Sequence, residues 1–197
     1  MERYFILAAQ SILRHHRVLL WIVKGLAKWA YWLYIIYGIV MWCKPGTITE
    51  KMQRRQSLWY CLFSVVFGSV LSWGIGLVWH RQRPFAAHDD IQPFISHRAN
   101  ASFPSNHSMN AMAVAVQLLW QRKKAGVFFL PWAVLIGTSR VLCGVHYVTD
   151  VLGGFGLGIG SALIVKTCRQ SAAIAQRLNW YAHLSATVMK AWYQRRL

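Results

Sequence analysis

Long apolar runs separated by short clusters of Lys and Arg divide this chain, and no other feature narrows its fold so far. The runs lie at about 25–43, 57–79, 106–121, 126–142 and 146–168. Runs of this length and apolarity read as helices that cross a bilayer. Hydrophobic residues make up 56% of the 197, with 11 Trp and 8 Tyr, more than a small soluble protein could hide. The formal charge is +17, from 22 Lys and Arg against 5 Asp and Glu. Nucleic-acid binding is the usual first thought for such a balance. Here the basic clusters flank apolar runs, as membrane helices do where they meet anionic headgroups. The expected architecture is an all-α, polytopic membrane helix bundle of about five to six transmembrane helices plus interfacial amphipathic helices. Its partners are membrane lipids, not nucleic acid.

The whole chain, 1–197, reads as one domain. Residues 1–24 predict an amphipathic helix lying in the interface, with Arg14, Arg17 and Lys24 on one stripe. That basic face is read as an anchor and nothing more. Residues 25–168 form the transmembrane core, and 169–197 a basic C-terminal interfacial tail. Residues 44–56 predict a polar loop, broken by Pro45-Gly46. Segment 80–105 is the longest polar stretch, and loops of that length are more often functional than decorative. Gly154, Gly156, Gly158 and Gly160 give small-x-x-x-small pairs that let helix backbones approach. Cys43, Cys61, Cys143 and Cys168 are scattered, so neither a disulfide framework nor a zinc site is expected. Loop 44–56, Arg122 to Lys124 and the tail carry more than half of the Lys and Arg, which places them in the cytoplasm and 80–105 and 139–146 outside.

Three short segments then fall on one face of the membrane: His80-Arg-Gln-Arg-Pro-Phe85, Phe103-Pro-Ser-Asn-His107, and Ser139-Arg140 followed by His146 and Asp150. Ionisable groups at such depth are costly and usually functional. Ser105 precedes an apolar helical run, where it can serve as N-cap and leave the N–H groups of Asn106 and His107 as an anion site. Arg83 and Arg140 add planar charged forks suited to phosphate oxygens. His146 and Asp150, four apart, share one helical face. A carboxylate on one imidazole nitrogen fixes the tautomer and makes the other a better nucleophile. His107, from another helix start, could protonate the departing oxygen. No cluster of carboxylates suggests magnesium, so neither metal nor cofactor is expected. Asp89-Asp90 reads as a solvated turn, and His88 and His97 as loop residues.

This set resembles the type 2 phosphatidic acid phosphatase superfamily of membrane lipid phosphatases, over residues 76–150. Its motifs are Lys, six residues, Arg-Pro; Pro-Ser-x-His; and Ser-Arg, five residues, His, three residues, Asp. The last two are complete here. The resemblance implies a six-helix membrane core, metal-independent hydrolysis and an outward-facing site. It implies His146 as nucleophile forming a phosphohistidine, Asp150 as its orienting carboxylate and His107 as acid. It also implies Arg83, Ser105, Asn106 and Arg140 as phosphate ligands. One departure stands out: Gly76 occupies the position of the first-motif Lys, and Arg81 or His80 is expected to supply the missing charge. The S-F-P-S-N-H and R-x-R-P-F wording is similar to bacterial undecaprenyl-diphosphate phosphatases of the inner membrane. Phosphatidylglycerophosphate, phosphatidic acid and lipid A phosphatases, or a lipid phosphotransferase, are the alternatives within the family.

Overall fold

The computed structural model describes residues 1–169 together with Leu184 and Thr187, and every regular element among them is helical. In chain order these are α1 (Glu2–His15), α2 (Arg17–Trp29), α3 (Trp32–Cys43), α4 (Ile48–Val78), α5 (Pro84–Ala87), α6 (Asn106–Trp120), α7 (Lys124–Leu142) and α8 (Val148–Arg169). Apart from Arg169, Leu184 and Thr187, the expected interfacial tail lies outside the described residues.

The N-terminal segment departs from expectation. It is two helices, broken at His16, and the second continues to Trp29. A straight helix would put the stripe of Ile6, Gln10 and Leu13 out of phase with that of Val23 and Ala27, and the break lets both turn inward. The expected run 25–43 is likewise divided, because α2 and α3 meet at a bend of 52°. The polar loop expected over 44–56 shrinks to four residues, since α4 begins at Ile48. Its start is a capping box: Thr47 Oγ1 accepts the Glu50 N–H and Glu50 Oε2 accepts the Thr47 N–H.

Among the described residues three helices are long and apolar enough to cross a membrane by themselves: Ile48–Val78, Lys124–Leu142 and Val148–Cys168. The bent pair of α2 and α3 would make a fourth, which leaves the expected five to six unconfirmed among the described residues. Only 28%, 44% and 33% of the three apolar windows is buried in protein, which leaves their outer faces for lipid. Trp73, Val134, Leu152 and Leu163 are among the large side chains on those faces.

The expected span at 106–121 corresponds to α6, a 15-residue helix packed against α4, α7 and α8. It is about 22 Å long at 1.5 Å per residue, short of a bilayer core. Most of its side chains are buried, and Met109, Ala113 and Ala115 are fully enclosed. The α8 glycines divide into two classes. A Cβ at Gly154 would meet Ser105 O at 2.6 Å, and one at Gly158 would meet Met109 O at 2.5 Å, whereas Gly156 and Gly160 face open space. The 154/158 pair is therefore what brings α8 onto α6. Gly158→Val is expected to destabilise the bundle by roughly 1–3 kcal/mol, seen as earlier thermal unfolding in detergent, while Gly156→Ala stays near wild type.

Candidate active site

The turn between α7 and α8 sets the site. Helix α7 ends in a Schellman arrangement: Val145 N–H donates to Arg140 O at 3.2 Å and Gly144 N–H to Val141 O at 2.8 Å. Gly144 has φ +73°, and a Cβ there would lie 2.7 Å from Gln10 Nε2 of α1. The reversal holds Arg140 on one side of the turn and delivers His146 on the other, both 2% exposed. Asp150 follows in the first turn of α8 and is fully buried.

Asp150 is held from several directions. Its Oδ2 accepts Ser102 Oγ–H and, at 2.8 Å, the Tyr147 N–H; its Oδ1 accepts Arg81 Nη1–H at 2.8 Å. His146 Nδ1 lies 3.6 Å from Oδ2, in ionic contact but longer than a hydrogen bond. The Asp150 backbone carbonyl accepts the Ser105 N–H at 2.9 Å, which ties the start of α6 to the start of α8. Ser105 is the N-cap residue of α6 as expected, but its hydroxyl does not cap; it accepts Ser108 Oγ–H at 2.9 Å.

Arg83 enters from the N-terminus of α5 and commits all five N–H groups. Nε and Nη2 grip Asn100 Oδ1 at 3.0 and 2.9 Å, Nη2 also reaches Ala101 O at 3.0 Å, and Nη1 reaches Val145 O at 2.9 Å and His146 Nε2 at 3.0 Å. A guanidinium can only donate, so the Nε2 nitrogen of His146 carries the lone pair and Nδ1 the proton that faces Asp150. Arg140 differs. Its Nη1 donates to Ala27 O of α2 at 2.8 Å, while its buried Nε and Nη2 have no hydrogen-bond partner among the described residues.

His146, in the turn outside the spanning helices, is pushed down to about 4, first by burial, with the Asp150 contact opposing and Arg83 and Arg140 lowering it further. Burial also lowers Arg83, to about 10, so it stays charged at neutral pH. The imidazole is then neutral across the ordinary range. At saturating substrate the rate is expected to survive as pH falls through 6.5 and to fail only toward 4. Stability should fall over the same window, because the unfolded chain takes up a proton there that folded His146 refuses. Comparison of rate and unfolding at stepped pH checks both; a rate lost already near 6.5 would contradict this assignment.

Other sequence-predicted residues are placed differently. Arg81 lies behind Asp150: it reaches Glu2 Oε2 of α1 at 2.9 Å and its guanidinium stacks 3.9 Å from the Tyr147 ring centroid. His80 is exposed. Gly76, at the position of the missing charge, abuts Ala101 and Phe103. Asn106 is exposed at the start of α6, and His107 stands edge-on to Tyr31, ring centroids 6.2 Å apart. The structure adds residues that the sequence reading passed over. Asn100 holds Arg83 and Ser102 holds Asp150. His97, read as a loop residue, has its ring centroid 6.2 Å from that of His146. The N-terminal helices are not mere anchors, since Glu2 also accepts from Thr149 and Arg3 pairs with Asp90 at 2.7 Å.

Two cavities open on this centre. One, of about 820 Å³, runs along α3, α4 and α6 from His107 and Asn106 past Tyr34 and Tyr37 to Trp42 and Trp59. The other, of about 570 Å³, lies between α2 and residues 94–97 and reaches His107 and Arg140.

Residues 57–173 match the PAP2 superfamily. The chain is 32% identical over 152 residues to the undecaprenyl-diphosphatase BcrC of Bacillus subtilis, spanning 77% of this chain and 76% of that relative. The crystal structure of a transmembrane PAP2-type phosphatidylglycerolphosphate phosphatase from Bacillus subtilis superposes with a TM-score of 0.58 at 28% identity, over 86% of each chain. That of LpxE from Aquifex aeolicus gives 0.62 at 21% identity, over 77% of this chain and 87% of the other, a likeness of fold.

Proposed function

The chain belongs to the PAP2 superfamily of phosphatases, and from that premise we propose that it removes the terminal phosphate of undecaprenyl diphosphate through a phosphohistidine at His146. The observation that carries the chemistry is the His146 ring. Its Nε2 lone pair is turned to Arg83 at 3.0 Å, and its Nδ1 is backed by a carboxylate with no access to solvent. In the first step Nε2 attacks the terminal phosphorus, the bond to the bridging oxygen breaks, and His107 gives that oxygen a proton. In the second, water attacks the phosphohistidine, the P–N bond breaks, and His107 takes up the proton. Arg140, whose Nε and Nη2 have three N–H groups to offer, and Arg83, which must release His146 to do so, bind the equatorial oxygens. The backbone N–H groups of Asn106 and His107 and the Ser105 hydroxyl complete the cradle. The site faces the outside of a bacterial plasma membrane.

The lipid identity rests on the BcrC likeness and on the long apolar cleft beside His107, which suits one extended chain. Every step uses side chains and water, so turnover is expected in excess EDTA. A side-by-side assay of undecaprenyl diphosphate, phosphatidic acid and phosphatidylglycerophosphate, each with and without chelator, tests both points. Preference for a glycerophospholipid would replace the carrier-lipid substrate, and loss of turnover with chelator would overturn the metal-free mechanism.

A further inference from the structure

The two cavities meet at His107, and their linings differ in kind. The larger is walled mainly by Tyr, Trp and aliphatic side chains, with Asn106, His107 and Asn110 as well and no Lys or Arg among the described residues. The smaller holds Lys24, Lys28, His97 and Arg140, with no Asp or Glu among the described residues. Lys24 and Lys28 lie one turn apart on α2, on one face. They bracket Ala27, whose carbonyl accepts the Arg140 Nη1–H at 2.8 Å. That bond fixes the lysine pair relative to Arg140, whose Nε and Nη2 are buried without a partner among the described residues. Aromatic faces steady both lysines: Lys24 Nζ lies 5.8 Å from the Phe94 ring centroid and Lys28 Nζ 5.4 Å from that of Trp29. Cations gathered in a cleft without carboxylates repel one another until an anion enters.

We propose that this smaller cavity is a second phosphate site, in which Lys24 and Lys28 hold the phosphate that stays on the lipid while the terminal one transfers to His146. The assignment rests on the phosphatase reading above. In-line displacement puts the leaving oxygen opposite the attacking nitrogen, on the side of His107. In a lipid diphosphate that oxygen carries a second phosphate, whose charge needs cations. The apolar cleft has none, so the hydrocarbon chain takes that route and the retained phosphate takes the basic one. A monophosphate ester has no second phosphate to place there. Lys24 and Lys28 therefore select for diphosphates.

The test uses the full chain in detergent with farnesyl diphosphate and farnesyl monophosphate, which differ only in the second phosphate. The ratio of their kcat/KM values, diphosphate over monophosphate, is expected to fall tenfold or more in Lys24→Gln/Lys28→Gln. In Lys24→Arg/Lys28→Arg it should stay within about threefold of wild type, since the charge is kept. An unchanged ratio in the Gln pair overturns the proposal, and so does an equal fall in the Arg pair. If the Gln pair does not fold, Lys28→Gln alone, at an exposed position, reads the same ratio, with a fall of about threefold expected and no change overturning the proposal. Wild-type protein that releases phosphate from neither lipid would sink the phosphatase reading, and this assignment with it.

Discussion

Replacing His146 with Ala is expected to slow phosphate release by roughly 10⁴-fold or more, because the variant has no nucleophile to split the reaction into two steps. The side chain is 2% exposed and accepts from Arg83, so the Ala variant also leaves a buried donor without its partner. His146→Gln restores bulk and an acceptor, and it should be as inactive while folding more like wild type. The discriminating measurement is an acid-labile, alkali-stable label on the protein after brief turnover of a lipid carrying ³²P in its terminal phosphate. Wild type should carry it and both variants should not. Label on the Gln variant, or release above about one per cent of wild type, would remove residue 146 from the covalent step.

Asp150→Asn is expected to cost about 10²–10⁴ in kcat, comparable to losing the orienting carboxylate of other His-dependent enzymes. The structure gives a specific reason. Oδ1 accepts from Arg81, and Oδ2 accepts from Ser102 and the Tyr147 N–H. An amide in either orientation turns a donor toward a donor. The loss should not be recovered at higher pH. The Asp150 carboxylate acts to raise His146, so removing it lowers that imidazole further and leaves it neutral. What fails is orientation and the stabilisation of positive charge as Nε2 bonds to phosphorus. A pH–rate profile of the variant that climbs back to wild type on the alkaline side would show that protonation, not orientation, was lost.

The helical membrane fold class was legible in the apolar runs, whereas the helix boundaries were not. Pro104-Ser105, His107, Arg140, His146 and Asp150 stand at helix ends, where local sequence sets the geometry, and the fold gathers those ends on one side. Span counting was harder: among the described residues three helices, or four with the bent pair as one span, are long and apolar enough to cross a membrane. Helix α6 is apolar and largely enclosed by α4, α7 and α8, so hydropathy by itself does not distinguish it from a lipid-facing span. The bend between α2 and α3 falls within one apolar run that hydropathy reads as continuous. The capping box at Thr47 to Glu50 was a readable signal, hidden inside a stretch that looked like loop. Asn100 and Ser102 carried no signal by themselves, although both sit just before Phe103-Pro104. Glu2 joined to Thr149 and Arg81 joined to Asp150 are partners distant in the chain, and spacing rules for neighbouring residues do not reach so far.

The contact between Arg83 and His146 bears on how the protein behaves between turnovers. A lone pair already accepting a charged N–H is a poor target for small carbon or acyl electrophiles, which bring nothing to draw the guanidinium aside. A phosphate does, because its oxygens compete for the same proton as they approach. The resting imidazole is thus shielded from chance modification and uncovered by the group it is meant to receive.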